Sequence, residues 1–401
     1  MSRLLLTIAS VFIMGLTHCK KADTAASALE KEGLSSKNGE EMMGILSTTT
    51  FNVTPATALN STFWNNVKTA LTTGPVDVIF ADGNYPQSAT LTLSNIGDST
   101  NLLTLKTAVT EGGAVFSGAI SNLMYLNTCK NIKLLRLKFT GGATGYGLRI
   151  SNSQDVTVEK CFFVDLPDVG YGALGVHYPL TNRVVVKYCT FENVGYDSHA
   201  HMIYGAYGIQ RLSVVANTFK NCSGAFVRFR GDLSDKGVVY DNDFISTGTY
   251  LTGLNPVFIE IPVFNDVNPG DEKMGTNFMI TKNSFSYGTV GNQTTRFNVV
   301  FHSSGYNPPG RNYLISTADG ALLSTGTVLQ KRTVMSGQLG LDGDSIRFGG
   351  NTNTNVQYNV VYRCWNAYGS AGPWTGVASI GTAVNSSGLA TTEADAIGYY
   401  P

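Results

Sequence analysis

Six stretches of this chain alternate apolar and polar residues and end on a phenylalanine, at Phe139, Phe163, Phe191, Phe219, Phe244 and Phe285. Five of them carry Cys or Asn two places before the ring, at Cys161, Cys189, Asn217, Asn242 and Asn283. Alternation of this kind suits a strand with one buried face. The phenylalanines follow one another at 24, 28, 28, 25 and 41 residues, and periods of that size mark a solenoid in which each coil stacks a strand on its copy in the next. The pattern predicts a right-handed parallel β-helix, all-β, with the phenylalanines in one internal column about 4.8 Å apart. The Cys and Asn positions form a second column. A buried Asn is costly unless its amide is paired, so Asn217, Asn242 and Asn283 are expected to bond one another and the turn backbone. A β-sandwich is the other fold considered, but its turns come closer together and would not carry one phrase through six coils.

Ahead of the coils, residues 61–71 place Phe63, Val67 and Leu71 at helical intervals behind Ser61 as N-cap. A short helix there would cover the open end of the stack, whose strand edge would otherwise invite aggregation. Residues 76–85 and 102–107 read as early strands. The rhythm weakens after Gly291, and residues 306–350, rich in Gly, Ser and Thr, read as an irregular insertion. Residues 357–361 resemble one more coil, and the final stretch is expected to cap the far end. Residues 51–401 thus form a single β-helix domain.

The first 19 residues read as an export signal: Arg3, an apolar run over residues 4–16, then Thr17-His18-Cys19. That run is too short for a permanent membrane span. Leu16-Thr17-His18-Cys19 resembles a bacterial lipobox, which makes Cys19 the lipidation site and residues 20–50 a flexible tether. The expected location is the bacterial cell envelope, with a lipid anchor in the outer membrane, facing the periplasm or the surface. The anchor would be the only membrane contact.

Asp plus Glu and Lys plus Arg each number 28, so no bulk charge points to nucleic acid. With 43% apolar and 14% charged residues the chain can bury a large core, and a monomer is expected. Nineteen tyrosines exceed what a core needs; some are expected on the surface as flat contacts for sugars, others as packing. The cysteines left after Cys19 are odd in number, and Cys161 and Cys189 are read as buried thiols. No Cys/His cluster has zinc spacing.

The strands that follow each Phe define a further column: Arg149, His177, His199, His201, Tyr204, Arg228, Arg230, Glu260 and His302, with Tyr207 beside it. All four histidines after the export signal fall there. Arg228 and Arg230 share a face by alternation, and adjacent coils bring His201 and Tyr204 near them. The set suits β-elimination on a uronate: a guanidinium offsets the substrate carboxylate, and Tyr204 or neutral His201 takes the C5 proton. His177, His199, Tyr207, Arg149, Glu260 and His302 are candidate substrate contacts. Their structural alternatives are a satisfied strand histidine for His177 or His302, an ion pair of Arg228 or Arg230 with Asp232, Asp235 or Glu260, and packing of Tyr204 on Tyr207.

Several segments resemble the alginate lyase and chondroitinase B family of polysaccharide lyases. They are Ala81-Asp-Gly-Asn-Tyr85, Leu103-Thr-Leu-Lys-Thr107 with Ser117-Gly118, Leu135-Arg-Leu-Lys-Phe-Thr-Gly-Gly142, Asn217-Thr-Phe-Lys-Asn-Cys-Ser-Gly224 and Val239-Tyr-Asp-Asn242-Asp-Phe244. The resemblance covers residues 76–285. It implies a polysaccharide substrate, a Lys base with an Arg partner, and often Ca²⁺ at the substrate carboxylate. The Arg maps to the Arg228/Arg230 strand, whereas the segment before Asn217 offers Tyr204, Tyr207 and His201 in place of the lysine. A glycoside hydrolase using paired carboxylates about 5–9.5 Å apart, drawn from Asp197, Asp232, Asp235 and Glu260, is a second class of function. A glycan-binding module without catalysis, or a plain stalk, is a third.

Overall fold

In each coil the chain turns at a residue in the left-handed region: Lys160, Tyr188, Ala216, Asp241 and Lys282 have φ of 53°, 56°, 51°, 55° and 59°. Each immediately precedes the Cys or Asn of the repeat, so the recurrent phrase encodes a corner as well as a strand. The computed structural model describes residues 47–231, 234–248, 257–263, 275, 277–288, 296–303, 322–324, 327–328, 346–356, 358–365, 374–379 and 386–400. The export signal, Cys19 and nearly all of the tether lie outside them.

Corners of this kind fold the chain into three stacked sheets. The first runs over ten parallel strands from Thr49–Val53 through Gln154–Glu159, Asn182–Lys187 and Gln210–Val215 to Ile346–Gly349. The second has nine, among them Phe162–Leu166, Thr190–Val194 and Thr218–Cys222. The third holds Leu91–Ser94, Asn122–Asn127, Tyr146–Ser151, Gly172–His177, His201–Ala206, Val227–Arg230, Ile259–Val263, Phe297–Ser303 and Tyr358–Trp365, with Trp374–Ser379 added antiparallel at one edge. The result is an all-β parallel solenoid.

Its core is the predicted aromatic column. Phe139, Phe163, Phe191, Phe219, Phe244 and Phe285 are paired in register on the second sheet. Their ring centres stand 4.9, 4.7, 4.9, 4.9 and 5.1 Å apart and nearly parallel, close to the strand spacing. Phe116 extends the column by one coil at 5.5 Å. At the corner, Asn217 Nδ2 donates to Asn242 Oδ1 at 3.0 Å and to the Val186 carbonyl at 2.9 Å. Asn242 Nδ2 donates likewise to Asn283 Oδ1 at 2.9 Å. The expected ladder forms and continues one coil further, to Asn351. Cys161 and Cys189 head the same column as free, buried thiols.

The helix Ser61–Leu71 is present, with two changes from the sequence reading. Its N-cap is Asn60, whose Oδ1 accepts from the Thr62 and Phe63 amides, and its buried side chains are Trp64, Val67 and Leu71. Asn caps at least as well as Ser; Trp64 turns inward because its indole Nε1 reaches the Ala58 carbonyl at 2.8 Å.

Three boundaries shift. The first strand starts at Thr49, inside the segment assigned to the tether. Within the predicted insertion, Ile346–Gly349 is a regular rung paired with Phe278–Thr281, and Leu322–Ser324 and Thr327–Val328 form an antiparallel pair; the rest of 306–345 lies outside the described residues. Residues 386–400 run along the outer face of the first sheet, so they do not cap the far end. Glu393 meets Lys187 at 3.2 Å, Thr391 accepts from Tyr240 at 3.1 Å, and the Tyr400 carbonyl accepts from Arg211 at 3.0 Å. The physical reason is an outward apolar patch, Val215, Val238, Tyr240 and Met279, which Ala390 and Ala396 bury.

Candidate functional site

The third sheet carries the candidate residues, and its register decides which of them meet. Tyr125, Arg149, Gly175, Tyr204, Arg228 and Glu260 occupy equivalent positions on successive coils. Two residues further along, Ser151, His177, Ala206 and Arg230 are aligned in the same way. Tyr146, Gly172 and His201 form a third row.

Arg228, His201 and Glu260 form a largely buried set. The His201 Nδ1 lies 3.1 Å from the Ala225 carbonyl, which can only accept, so this nitrogen carries the hydrogen. Nε2 then offers its lone pair to Arg228 Nη1 at 2.7 Å. Arg228 Nε stands 3.2 Å from Glu260 Oε2, with both side chains under 15% exposed. Burial, and next the Arg228 charge, push the His201 pKa down to about 3, so the ring is neutral. Arg228 also lies over the Tyr204 ring, 5.5 Å from its centre. The ion pair with Glu260 anticipated as a surface contact is therefore internal. His201 is corrected as the candidate proton acceptor, because its lone pair is occupied by a guanidinium.

Beside this set stands a box of tyrosines around His177. Tyr146, Tyr204, Tyr207 and Tyr178 approach the imidazole nearly at right angles, with centres at 5.0, 5.4, 5.7 and 6.0 Å. His177 is 2% exposed, and neither ring nitrogen has a hydrogen-bond partner among the described residues. Burial, followed by the Arg149 and Arg230 charges, lowers its pKa to about 3. Burial raises the Tyr146 pKa. Arg149 Nη2 donates to the Tyr178 hydroxyl at 3.3 Å and its guanidinium lies 5.1 Å from the Tyr125 ring centre. Arg230 Nη1 donates to the Tyr207 hydroxyl at 2.8 Å. The two Arg–Tyr couples are joined by Tyr178 and Tyr207, stacked at 5.8 Å.

Two local features produce the box. Tyr178 and Tyr207 have φ of 76° and 63°, a conformation that bulky residues rarely adopt, and it sits at the corner where the third sheet ends. Gly172 and Gly175 leave the outer face of the His177 strand bare. A Cβ on Gly175 would come within 2.6 Å of the Tyr146 ring and 3.0 Å of His177 Nε2. Sequence reading missed Tyr125, Tyr146, Tyr178 and both glycines; the signal available was Gly-Ala-Leu-Gly in a strand, which marks close approach.

One predicted site residue falls elsewhere, and the side chain of another is outside the described residues. His199 precedes the strand His201–Ala206, in a turn, where its side chain is 78% exposed beside Asp197. The turn ends one residue before the strand begins, so alternation does not reach it. His302 lies on Phe297–Ser303 opposite Pro262, and its side chain is outside the described residues, as is Asp232. Among the described residues no group of three or more His, Cys, Asp or Glu side chains could hold a metal ion. Glu260 is the only carboxylate in the Arg149–Glu260 row and is paired with Arg228, which does not fit the six to eight oxygens that Ca²⁺ takes.

No family model and no curated protein matches the chain. Among solved structures, a mannuronic acid specific polysaccharide family 6 lyase from human gut microbiota is 12% identical over 64% of this chain and 81% of its own, with TM-score 0.34. The Aspergillus niger pectin methylesterase is 14% identical, over 68% and 91%, at 0.36. A surface protein and adhesin of Streptococcus pneumoniae is 10% identical, over 63% and 85%, at 0.38. Scores and identities this low assign no activity, and the fold of this chain rests on its own strand register.

Proposed function

We propose that this protein acts on an acidic, uronate-containing polysaccharide and cleaves it by β-elimination. The observation that carries the reading is the row Arg149–Gly175–Tyr204–Arg228–Glu260: guanidinium groups beside tyrosine faces, in register along one side of the parallel β-solenoid. Arg149 in this row and Arg230 beside it offset the carboxylate charge, which makes the C5 proton removable. Tyr204, as phenolate, takes that proton; the electron pair forms the C4–C5 double bond, the C4–O bond breaks, and Tyr204 returns a proton to the leaving oxygen. Arg228, held by His201 and Glu260, positions Tyr204 and does not itself touch the sugar. Among the described residues Glu260 is the only carboxylate in this row, and its pairing with Arg228 does not suit one half of a hydrolytic carboxylate pair.

The same reading covers the ends of the chain. The first 19 residues export it, Cys19 carries a lipid in the outer membrane, residues 20–50 are a tether, and the helix Ser61–Leu71 covers one end of a monomeric stack. The purified chain, incubated with alginate, pectate and glycosaminoglycans, should generate the ultraviolet absorbance of an unsaturated sugar. New reducing ends without it would mean hydrolysis, and binding with neither would mean a non-catalytic module; either overturns the lyase.

A further inference from the structure

Two tyrosines bracket the strand Gly172–His177, Tyr171 just before it and Tyr178 just after it, and both reach the surface, at 57% and 37% exposure. Each lies flat on a second ring. Tyr171 stacks on Tyr146 at 5.9 Å between centres and 24° between planes, and Tyr178 on Tyr207 at 5.8 Å and 22°. Scattered exposed apolar groups need no explanation, but a ring held in one orientation with a face in water is prepared for contact, because little freedom is left to lose on binding. His177 stands between the two stacks, 5.0 Å from Tyr146 and 6.0 Å from Tyr178, so the exposed rings are no more than about 17 Å apart.

The charge in the gap is positive. Arg149, on the neighbouring strand Tyr146–Ser151, lies 5.8 Å from the Tyr146 ring centre and 6.0 Å from that of Tyr178, and donates to the Tyr178 hydroxyl at 3.3 Å. Its Nε is buried without a hydrogen-bond partner, and it has no ion pair with a carboxylate among the described residues. Two flat apolar faces with a cation between them match a chain of pyranose rings that carries carboxylates: a sugar's C–H face covers each tyrosine, and a carboxylate meets the guanidinium.

We propose that Tyr171 and Tyr178 are two stacking platforms for separate units of one acidic glycan chain, which runs along the strand Gly172–His177, across the axis of the solenoid, with a carboxylate on Arg149. The inference rests on the acidic-polysaccharide reading and adds the path of the chain. Arg149 and Tyr204, on the strands to either side, then lie on opposite flanks of the glycan. A minimum length follows, since an oligosaccharide too short to reach both rings gains from one alone.

The test is calorimetric titration of the purified chain with alginate, pectate and glycosaminoglycan oligosaccharides graded in length from the disaccharide upward, with poly-glutamate as the acidic peptide control. It is carried out on Tyr204→Phe, which keeps the ring and cannot take the proton. Affinity should rise in one step, roughly tenfold, at the length that first reaches both rings. Tyr171→Ala and Tyr178→Asn should each remove that step; Asn suits the φ of 76° at position 178 better than Ala does. Tyr178→Phe keeps the face and should keep the step. Tyr196, 65% exposed with no second ring behind it among the described residues, serves as control, and Tyr196→Ala should change nothing. A smooth rise with length, a step that survives Tyr171→Ala or Tyr178→Asn, its loss in Tyr178→Phe or Tyr196→Ala, or equal affinity for poly-glutamate overturns the platforms and leaves the polysaccharide reading standing. Failure of every acidic oligosaccharide to bind overturns both.

Discussion

Arg228 and Glu260 face each other across adjacent coils with Nε 3.2 Å from Oε2, each less than 15% exposed. Removing one partner leaves the other charged in a largely dry place. Glu260→Ala is expected to cost about 3 kcal/mol in urea unfolding, whereas Arg228→Ala/Glu260→Ala should cost less than the two single changes together. Additive losses would mean that the pair is not coupled.

His177 and His201 give stability a pH dependence whose sign follows from their environments. Each imidazole titrates near 6.5 when unfolded and near about 3 in the fold. Between those values the unfolded chain binds more protons, so stability falls as pH drops through 6.5 and the loss levels off below about 3. Each ring contributes a slope of about 1.4 kcal/mol per pH unit in that window. Subtracting the profile of His177→Gln from that of the parent should isolate one such slope; a flat difference would refute the buried neutral imidazole.

Asn242 sits mid-ladder, where its Oδ1 accepts from the Asn217 amide at 2.9 Å and its Nδ2 donates to the Val214 and Tyr240 carbonyls at 2.9 and 3.0 Å. Asn242→Ala strands these groups and should cost about 3 kcal/mol. Asn242→Asp keeps the shape but supplies no donor, so it should be no milder. Chemical denaturation of both variants checks this.

Gly175→Ala adds one methyl group against the Tyr146 ring. Overpacking of this kind typically costs about 1–3 kcal/mol. It should also reduce oligosaccharide binding, because Tyr146 must turn away from His177. Unchanged stability and unchanged binding would show that the bare strand face is incidental.

The repeat makes the fold legible in the sequence: Phe163 over Phe191 and Asn217 over Asn242 follow from period and alternation alone. The site was legible only in part. Arg228 beside Tyr204 follows from counting equivalent strands. That His201 spends its lone pair on Arg228 does not, since it depends on the Ala225 carbonyl fixing the tautomer. His199 and His201 have the same parity, yet the strand starts between them and only His201 is buried, against Arg228 and Tyr204. Tyr178 and Tyr207 lie over His177 because of their left-handed backbone, and side-chain alternation carries no information about that.

A stack held only by neighbouring coils can peel from either end, one rung at a time. The segment 386–400 makes that route unavailable over part of its length, since it is fastened at once to Lys187, Arg211, Tyr240, Lys282 and Arg347. Rungs more than a hundred residues apart in sequence must therefore open together or not at all. This stretch of the spiral should melt as one cooperative block, and cutting the strap should let it fray gradually.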